Sequence, residues 1–326
     1  MNATPAEPAA PLAPLIVVLG PTASGKSALG IDLAQKFGGE IVVCDSTQVY
    51  RRFDIGTGKV PLAGQQGIPH HLMDLVEPDE LFTAGKYRRR ALETLLDLRR
   101  SNKIPVITAG TGLYLRALLE GLADSPARSE ELRARLASIA VKHGPRHLHK
   151  TLCRLDRETA RRIEPADTQK IIRAIELRIL AGKSVDEIHR SGRDPLQGFA
   201  IVKIGLAPGR EALYARIHDR IDHMISAGWI EEVRALIDSG IPASAKAFQF
   251  IGYSQWRDYL AGNLQKEVVI DEIRKATRRF AKRQLTWFRR EPNVHWLQGF
   301  GDDTSIVREA SNVCAEEINS SNSRKK

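Results

Sequence analysis

Cysteine is scarce in this 326-residue chain, which carries three: Cys44, Cys153 and Cys314. They lie far apart, and no pair has C-x-x-C or zinc-ligand spacing. That spacing speaks against a cysteine metal site, and reduced thiols in a cytoplasmic protein are expected. Long apolar runs are missing too. None approaches the roughly 20 residues of a membrane-spanning helix, so no membrane partner is expected. The N-terminus lacks a basic stretch and its longest apolar run is broken by Gly20, a poor fit to a signal peptide. Acidic residues are outnumbered, 39 against 49 Lys and Arg, for a net charge of +10. The imbalance favours a polyanionic partner without separating nucleic acid from a membrane surface. No internal repeat is present. Hydrophobic residues, at 42%, suffice for a sizeable core and more than one domain.

What the chain does have is Gly20-Pro21-Thr22-Ala23-Ser24-Gly25-Lys26-Ser27, placed between the apolar run 15–19 and a helical pattern over 28–37. This is the phosphate-binding G-x-x-x-x-G-K-[ST] loop in its required strand–loop–helix setting. Glycines let backbone N–H groups point inward, the helix N-terminus adds its positive end, and Lys26 adds a charge. Ser27 can offer its hydroxyl to Mg²⁺. The loop suits a di- or triphosphate, a nucleotide such as ATP included, and does not say which.

Strand patterns at 40–44 and 105–109 alternate with helical patterns at 83–100 and 112–119, which predicts right-handed crossovers and a parallel sheet. In such sheets ligands sit beyond the carboxyl ends of the strands. The phosphate loop, Asp45 and Thr111 each follow such an end and should converge. The expected fold class is α/β, a P-loop NTPase-like parallel sheet flanked by helices, with an all-helical insertion domain. Residues 1–14, rich in Pro and Ala, read as a disordered leader. The core spans 15–120 and 198–315, the helical insertion 121–197, and a polar tail 316–326.

Asp45 could hold Mg²⁺, act as a general base, or simply cap a loop. Thr111, between Gly110 and Gly112, is either a turn residue or a hydroxyl held against a ligand. Arg216 and Arg220 share a helical face, which is solvated or reaches the phosphates. His70-His71 has no partners at metal-ligand spacing and reads as structural. The last long helical pattern carries eight Arg or Lys between Asp271 and Arg290, opposed only by Asp271 and Glu272. Such an excess repels itself unless something anionic offsets it, which favours phosphate-backbone binding.

Several stretches in series resemble the tRNA dimethylallyltransferases, the tRNA isopentenyltransferases of bacteria, over residues 15–297. They are the loop at 20–27, Asp-Ser-Thr-Gln-Val-Tyr (45–50), Asp-Ile-Gly-Thr-Gly-Lys (54–59), Pro-His-His-Leu-Met-Asp (69–74), Ala-Gly-Thr-Gly-Leu-Tyr (109–114), Ile-Gly-Tyr (251–253) and Ala-Lys-Arg-Gln-Leu-Thr-Trp-Phe (281–288). Gly58 stands where that family usually has Ala. The resemblance implies transfer of the dimethylallyl group of dimethylallyl diphosphate to N6 of adenosine 37, in tRNAs reading codons that begin with U. It implies that residues 20–27 hold the donor's diphosphate, with Mg²⁺ on Ser27. Asp45 would be the base, Thr111 would position donor and base, and Arg220 rather than Arg216 would hold the diphosphate. Asp45, Ser46, Thr47 and Gln48, then Arg133, then Gln169, Lys170, Ile171, Ile172 and Arg173, and finally Gln249, Phe250, Ile251, Gly252, Tyr253 and Ser254 match stretches that touch tRNA. The helical insertion would clamp the anticodon stem-loop, and a monomer is expected. Two other readings remain at this stage: a P-loop small-molecule kinase, and an RNA-binding protein with a relict loop.

Overall fold

A computed structural model describes residues 12–123, 126, 128–190 and 192–323. The chain divides into two compact units, the first formed by residues 1–119 and 196–326, the second by 120–195.

The first unit is built on a six-stranded sheet. In chain order its strands are β1 (Ala13–Leu19), β2 (Gly39–Cys44), β3 (His70–His71), β4 (Ile104–Ala109), β5 (Phe199–Leu206) and β6 (Val294–Leu297). The spatial order is β3-β2-β4-β1-β5-β6, and every pair is parallel. Central parallel strands are covered on both faces and so read as continuous apolar runs; Leu15 to Leu19 are all fully buried. Successive side chains of a strand point to opposite faces. Ile16 and Val18 accordingly join one apolar layer with Leu29 and Leu33, while Leu15, Val17 and Leu19 join the other.

Helix α1 (Lys26–Phe37) begins inside the phosphate loop and stops at Gly38, whose φ of 65° suits glycine. Helices α2 (Ala84–Arg100) and α3 (Gly112–Leu119) follow, and Thr83 caps α2 by accepting the Lys86 N–H. The second unit is all-helical: α4 (Glu130–His143), α5 (Pro145–Leu155), α6 (Arg157–Arg162), α7 (Thr168–Ala181) and α8 (Val185–Arg190). Its core gathers Leu136, Leu148, Leu152, Ile171, Ile172 and Ile175. Ser129, Asp156 and Asp167 cap its helices α4, α6 and α7. The chain then returns to the first unit with α9 (Arg210–Ser226), α10 (Trp229–Asp238), α11 (Tyr253–Leu260), α12 (Lys266–Phe288) and α13 (Thr304–Ser323).

The structure corrects both ends of the sequence reading. Ala13 and Pro14, assigned to a leader, belong to β1 and pair with Phe199 and Ala200; residues 1–11 of that leader lie outside the described residues. Pro14 fits because its place near the strand's start asks little of its missing N–H. The polar segment assigned to a tail from 316 is helical to Ser323, carried by an apolar side on which Ala310 and Cys314 are fully buried. Strands β3 and β6 were not foreseen, being short and, at His70-His71, polar.

Leu29 packs α1 on the sheet with no exposure. Leu29→Ala should lower unfolding stability by about 2–5 kcal/mol, measured by denaturant titration.

Candidate active site

The strand register sets the site. Ala109 of β4 lies opposite both Leu19 of β1 and Cys44 of β2. The three following segments therefore leave the sheet at one level: the phosphate loop, Asp45, and Gly110-Thr111. Together with α9, α10 and α12 of the same unit they enclose a cavity of about 350 Å³. Thr22, Ala23, Lys26 and Ser27 form its floor. Asp45 to Gln48, Thr108 and Gly110 form one wall, Gly56 to Gly58 another, and Arg220 and Arg283 reach in. The remaining lining is largely apolar: Ile217, Ile221, Met224, Trp229, Phe250, Ile251 and Phe280.

Inside the phosphate loop Gly25 has φ 86° and caps α1, while Ala23 is left-handed at φ 62°, strain that costs about 1 kcal/mol or more in a non-glycine residue. Lys26 Nζ donates to Pro21 O at 2.7 Å. Burial, then the Arg220 charge, depresses its ammonium to about 7, against the opposing pull of Asp45. Ser24 Oγ is buried within the loop and has no hydrogen-bond partner among the described residues. A loop that opens a helix N-terminus, a cation held partly uncharged and an unpartnered hydroxyl fit a diphosphate. A divalent cation fits as well: the Ser27 hydroxyl and the Asp45 carboxylate line the cavity, and hard cations take oxygen ligands.

Asp45 Oδ1 accepts the Thr47 N–H at 2.8 Å and the Thr47 hydroxyl at 2.7 Å. Its other oxygen faces Gly110, where a Cβ would overlap Oδ2. Thr111 does not line the cavity itself. Its Oγ1 accepts the Ser46 N–H at 2.9 Å and donates to Ser46 Oγ at 3.1 Å, so it fixes the residue beside Asp45. Gln48 donates to the carbonyls of Thr57 and Gly58, both at 3.2 Å. Glu232 steadies the same loop by accepting the Ile55 N–H at 2.8 Å and the Tyr253 hydroxyl at 2.6 Å. Gly58 (φ 65°) has Arg220 packed so closely that a Cβ would overlap its Nη2.

The two arginines of α9 separate clearly. Arg216 is paired in two places with Asp302, one at 2.7 Å, and lies over the Phe300 ring. Arg220 enters the cavity, where burial lowers its pKa and Asp45 opposes that shift. On α12, Arg274 pairs with Asp222 at 2.6 Å, Arg278 meets His218 at 2.5 Å, and Lys275 pairs with Asp271 at 2.5 Å. Arg279, Lys282, Arg289 and Arg290 are exposed on the α12 segment, as is Arg283, which also lines the cavity.

Of the other residues singled out from sequence, Gln249, Phe250 and Ile251 line the cavity, whereas Gly252 and Tyr253 are buried at the start of α11 beside Ser254. In the second unit Ile171 and Ile172 are core, Gln169 and Lys170 are exposed, and Arg133 and Arg173 bind Glu176 at 2.7 and 2.6 Å. Glu176 is fully buried, and its two arginines and the Ser129 N–H hold it at about 2 despite that burial. His70 and His71 are structural: His71 meets Glu40 at 2.7 Å and His70 meets Ile68 O at 2.8 Å.

Sequence reasoning missed Gln284. It is 6% exposed, accepts the Thr22 N–H at 2.7 Å and donates to Gly110 O at 2.8 Å. The available signal was one uncharged polar residue in the apolar register of Ala281 and Phe288.

Residues 48–291 match the IPP transferase family. A tRNA dimethylallyltransferase of Koribacter versatilis is 49% identical, over 92% of this chain and 97% of its own. One from Solibacter usitatus is 46% identical over 93% and 98%. The crystal structure of the full-length tRNA isopentenylpyrophosphate transferase of Bacillus halodurans superposes with a TM-score of 0.70 at 35% identity, covering 96% of this chain and 99% of that one. A eukaryotic dimethylallyltransferase acting on tRNA gives a TM-score of 0.78 at 28% identity over 93% and 77%.

A lysine depressed to about 7 regains its proton when a polyanion binds. Binding of an alkyl diphosphate above about pH 7.5, where that ligand is itself ionised, should therefore take up a proton, and affinity should weaken as pH rises further. Calorimetry in buffers of different ionisation heat measures the uptake, which Lys26→Met should remove.

Proposed function

The chain belongs to the IPP transferase family, and on that premise we propose the chemistry of its cavity. It transfers the dimethylallyl group of dimethylallyl diphosphate to N6 of adenosine 37, in tRNAs that read codons beginning with U, and releases diphosphate. The observation that carries this reading is that a phosphate loop and a carboxylate line one cavity whose remaining lining is largely apolar. That lining suits a five-carbon prenyl group, whose burial contributes about 4 kcal/mol at roughly 0.8 per methylene.

The division of labour follows from the residues. Loop N–H groups other than those of Thr22 and Ser24, with Lys26 and Arg220, hold the diphosphate and stabilise the charge that develops on it as the C1–O bond breaks. Ser27 would hold Mg²⁺, which adds Lewis-acid stabilisation of the leaving oxygens. The adenine amine is a weak nucleophile because its lone pair is delocalised into the ring. As N6 bonds to C1, its proton passes to Asp45, whose carboxylate Thr47 holds and whose neighbour Ser46 is held by Thr111.

Adenosine 37 must leave its stack to enter the cavity, at a cost of a few kcal/mol. Phosphate contacts from Arg279, Lys282 and Arg283 on α12, and from exposed cations of the helical unit such as Lys170, offset that cost. The partner is the anticodon stem-loop, gripped by the helical unit. One chain supplies the whole cavity among the described residues, so a monomer suffices. The reaction belongs in the cytoplasm; no helix among the described residues is long and apolar enough to cross a membrane.

Purified protein, Mg²⁺, dimethylallyl diphosphate and a tRNA with A36-A37-A38 should give adenosine 37 the mass of one C5 unit; no gain under these conditions ends the proposal. Asp45→Asn should cut the rate by about 10²- to 10⁴-fold and leave tRNA affinity nearly intact. Equal loss of both would make Asp45 a binding residue. Arg279→Glu with Lys282→Glu should weaken binding to every tRNA substrate. In the unaltered protein, affinity should fall at least tenfold between about 50 and about 200 mM salt.

A further inference from the structure

We infer that Gln284 is a positioning residue, a strut that fixes the phosphate loop relative to the Asp45 carboxylate. The inference rests on the transfer reaction proposed above and adds a residue to it. Gln284 lies on the buried side of α12, the helix whose opposite side carries the exposed cations. A packing role alone would be met by an apolar residue, since a buried amide costs stability unless it is bonded. This amide is bonded at both ends, and to two different parts of the site. Its oxygen takes the N–H of Thr22 in the phosphate loop, and its nitrogen gives to the carbonyl of Gly110. Gly110 is the residue against which Asp45 Oδ2 rests. One planar group thus spans from the phosphate loop to the Gly110 wall beside Asp45.

Reacting groups must be held within a fraction of an ångström for efficient transfer. Without the strut, the Gly110 carbonyl loses its partner and the Thr22 N–H is free to turn away from the loop's fixed geometry. The loss falls on the rate, because the cations on the exposed side of α12 are untouched.

A carboxylic acid has the shape of an amide, with one acceptor and one donor, whereas a carboxylate cannot donate. Gln284→Glu should therefore fail at high pH and recover as the introduced group gains its proton. The charged groups lining the same cavity are Lys26, Asp45, Arg220 and Arg283. All four are present in both proteins, so the ratio of variant to wild-type kcat reports position 284. That ratio should rise about tenfold or more between about pH 8.5 and about pH 5.5, with equal tRNA affinity at each pH. Gln284→Leu, checked by its melting temperature, should lose about tenfold to a hundredfold in kcat with a flat ratio. A flat ratio for Gln284→Glu, or wild-type kcat in Gln284→Leu, overturns the inference. Calorimetric affinity for inorganic pyrophosphate should follow the same pH-dependent ratio. That readout needs no transfer, so failure of the strut and failure of the proposed reaction are told apart.

Discussion

Three parallel strands end at one height, and the site is a consequence of that register. Ala109 sits level with Leu19 on one side and Cys44 on the other. The hydrogen bonds continue one step beyond the sheet, where the N–H groups of Gly110 and Thr111 both reach Cys44 O, at 3.0 and 3.1 Å. A one-residue slip of β2 or β4 would turn every side chain to the opposite face. The buried faces of these strands forbid it, since Val42, Val106 and Ile107 are fully buried. The core thus fixes the height at which Asp45 and the phosphate loop emerge, and the spacing between them is inherited from hydrophobic packing.

Around that fixed edge the charges sort by partner. Asp302 engages Arg216, and Asp222 and His218 engage Arg274 and Arg278. Arg220 is left to the cavity, where it adds to the effect of burial in lowering the Lys26 pKa while Asp45 raises it. Three cations, Lys26, Arg220 and Arg283, and one carboxylate, Asp45, line one small cavity, an arrangement whose positive charge the proposed diphosphate would offset. The remaining lining of the cavity is largely apolar, which suits the proposed allylic donor.

Much of this was legible in the sequence wherever the signal was local. The phosphate loop, its flanking strand and helix, and Asp45 at the end of β2 all follow from runs of a dozen residues or fewer. The parallel sheet followed from strands alternating with helices, and the helical unit from uninterrupted periodicity of 3.6. What stayed hidden depends on partners distant in the chain. The spacing alone left Arg216 and Arg220 equivalent, only the resemblance favouring Arg220; what pairs Arg216 is Asp302, 86 residues away. Gln284 meets Thr22 across 262 residues. Strand β6, with four residues, extends the sheet only because β5 offers a partnered edge. Ile171 and Ile172 were grouped with polar neighbours by their place in a motif, yet 3.6-residue periodicity turns them into the core of their unit.

The central claim is that the loop at 20–27 cradles a departing diphosphate and transfers no phosphoryl group. The fate of the donor's phosphorus tests it most directly. Phosphorus NMR of the complete reaction should show one inorganic pyrophosphate released for each adenosine modified, with no orthophosphate and no phosphorus gained by the RNA. Orthophosphate, or a phosphorylated RNA product, would contradict it.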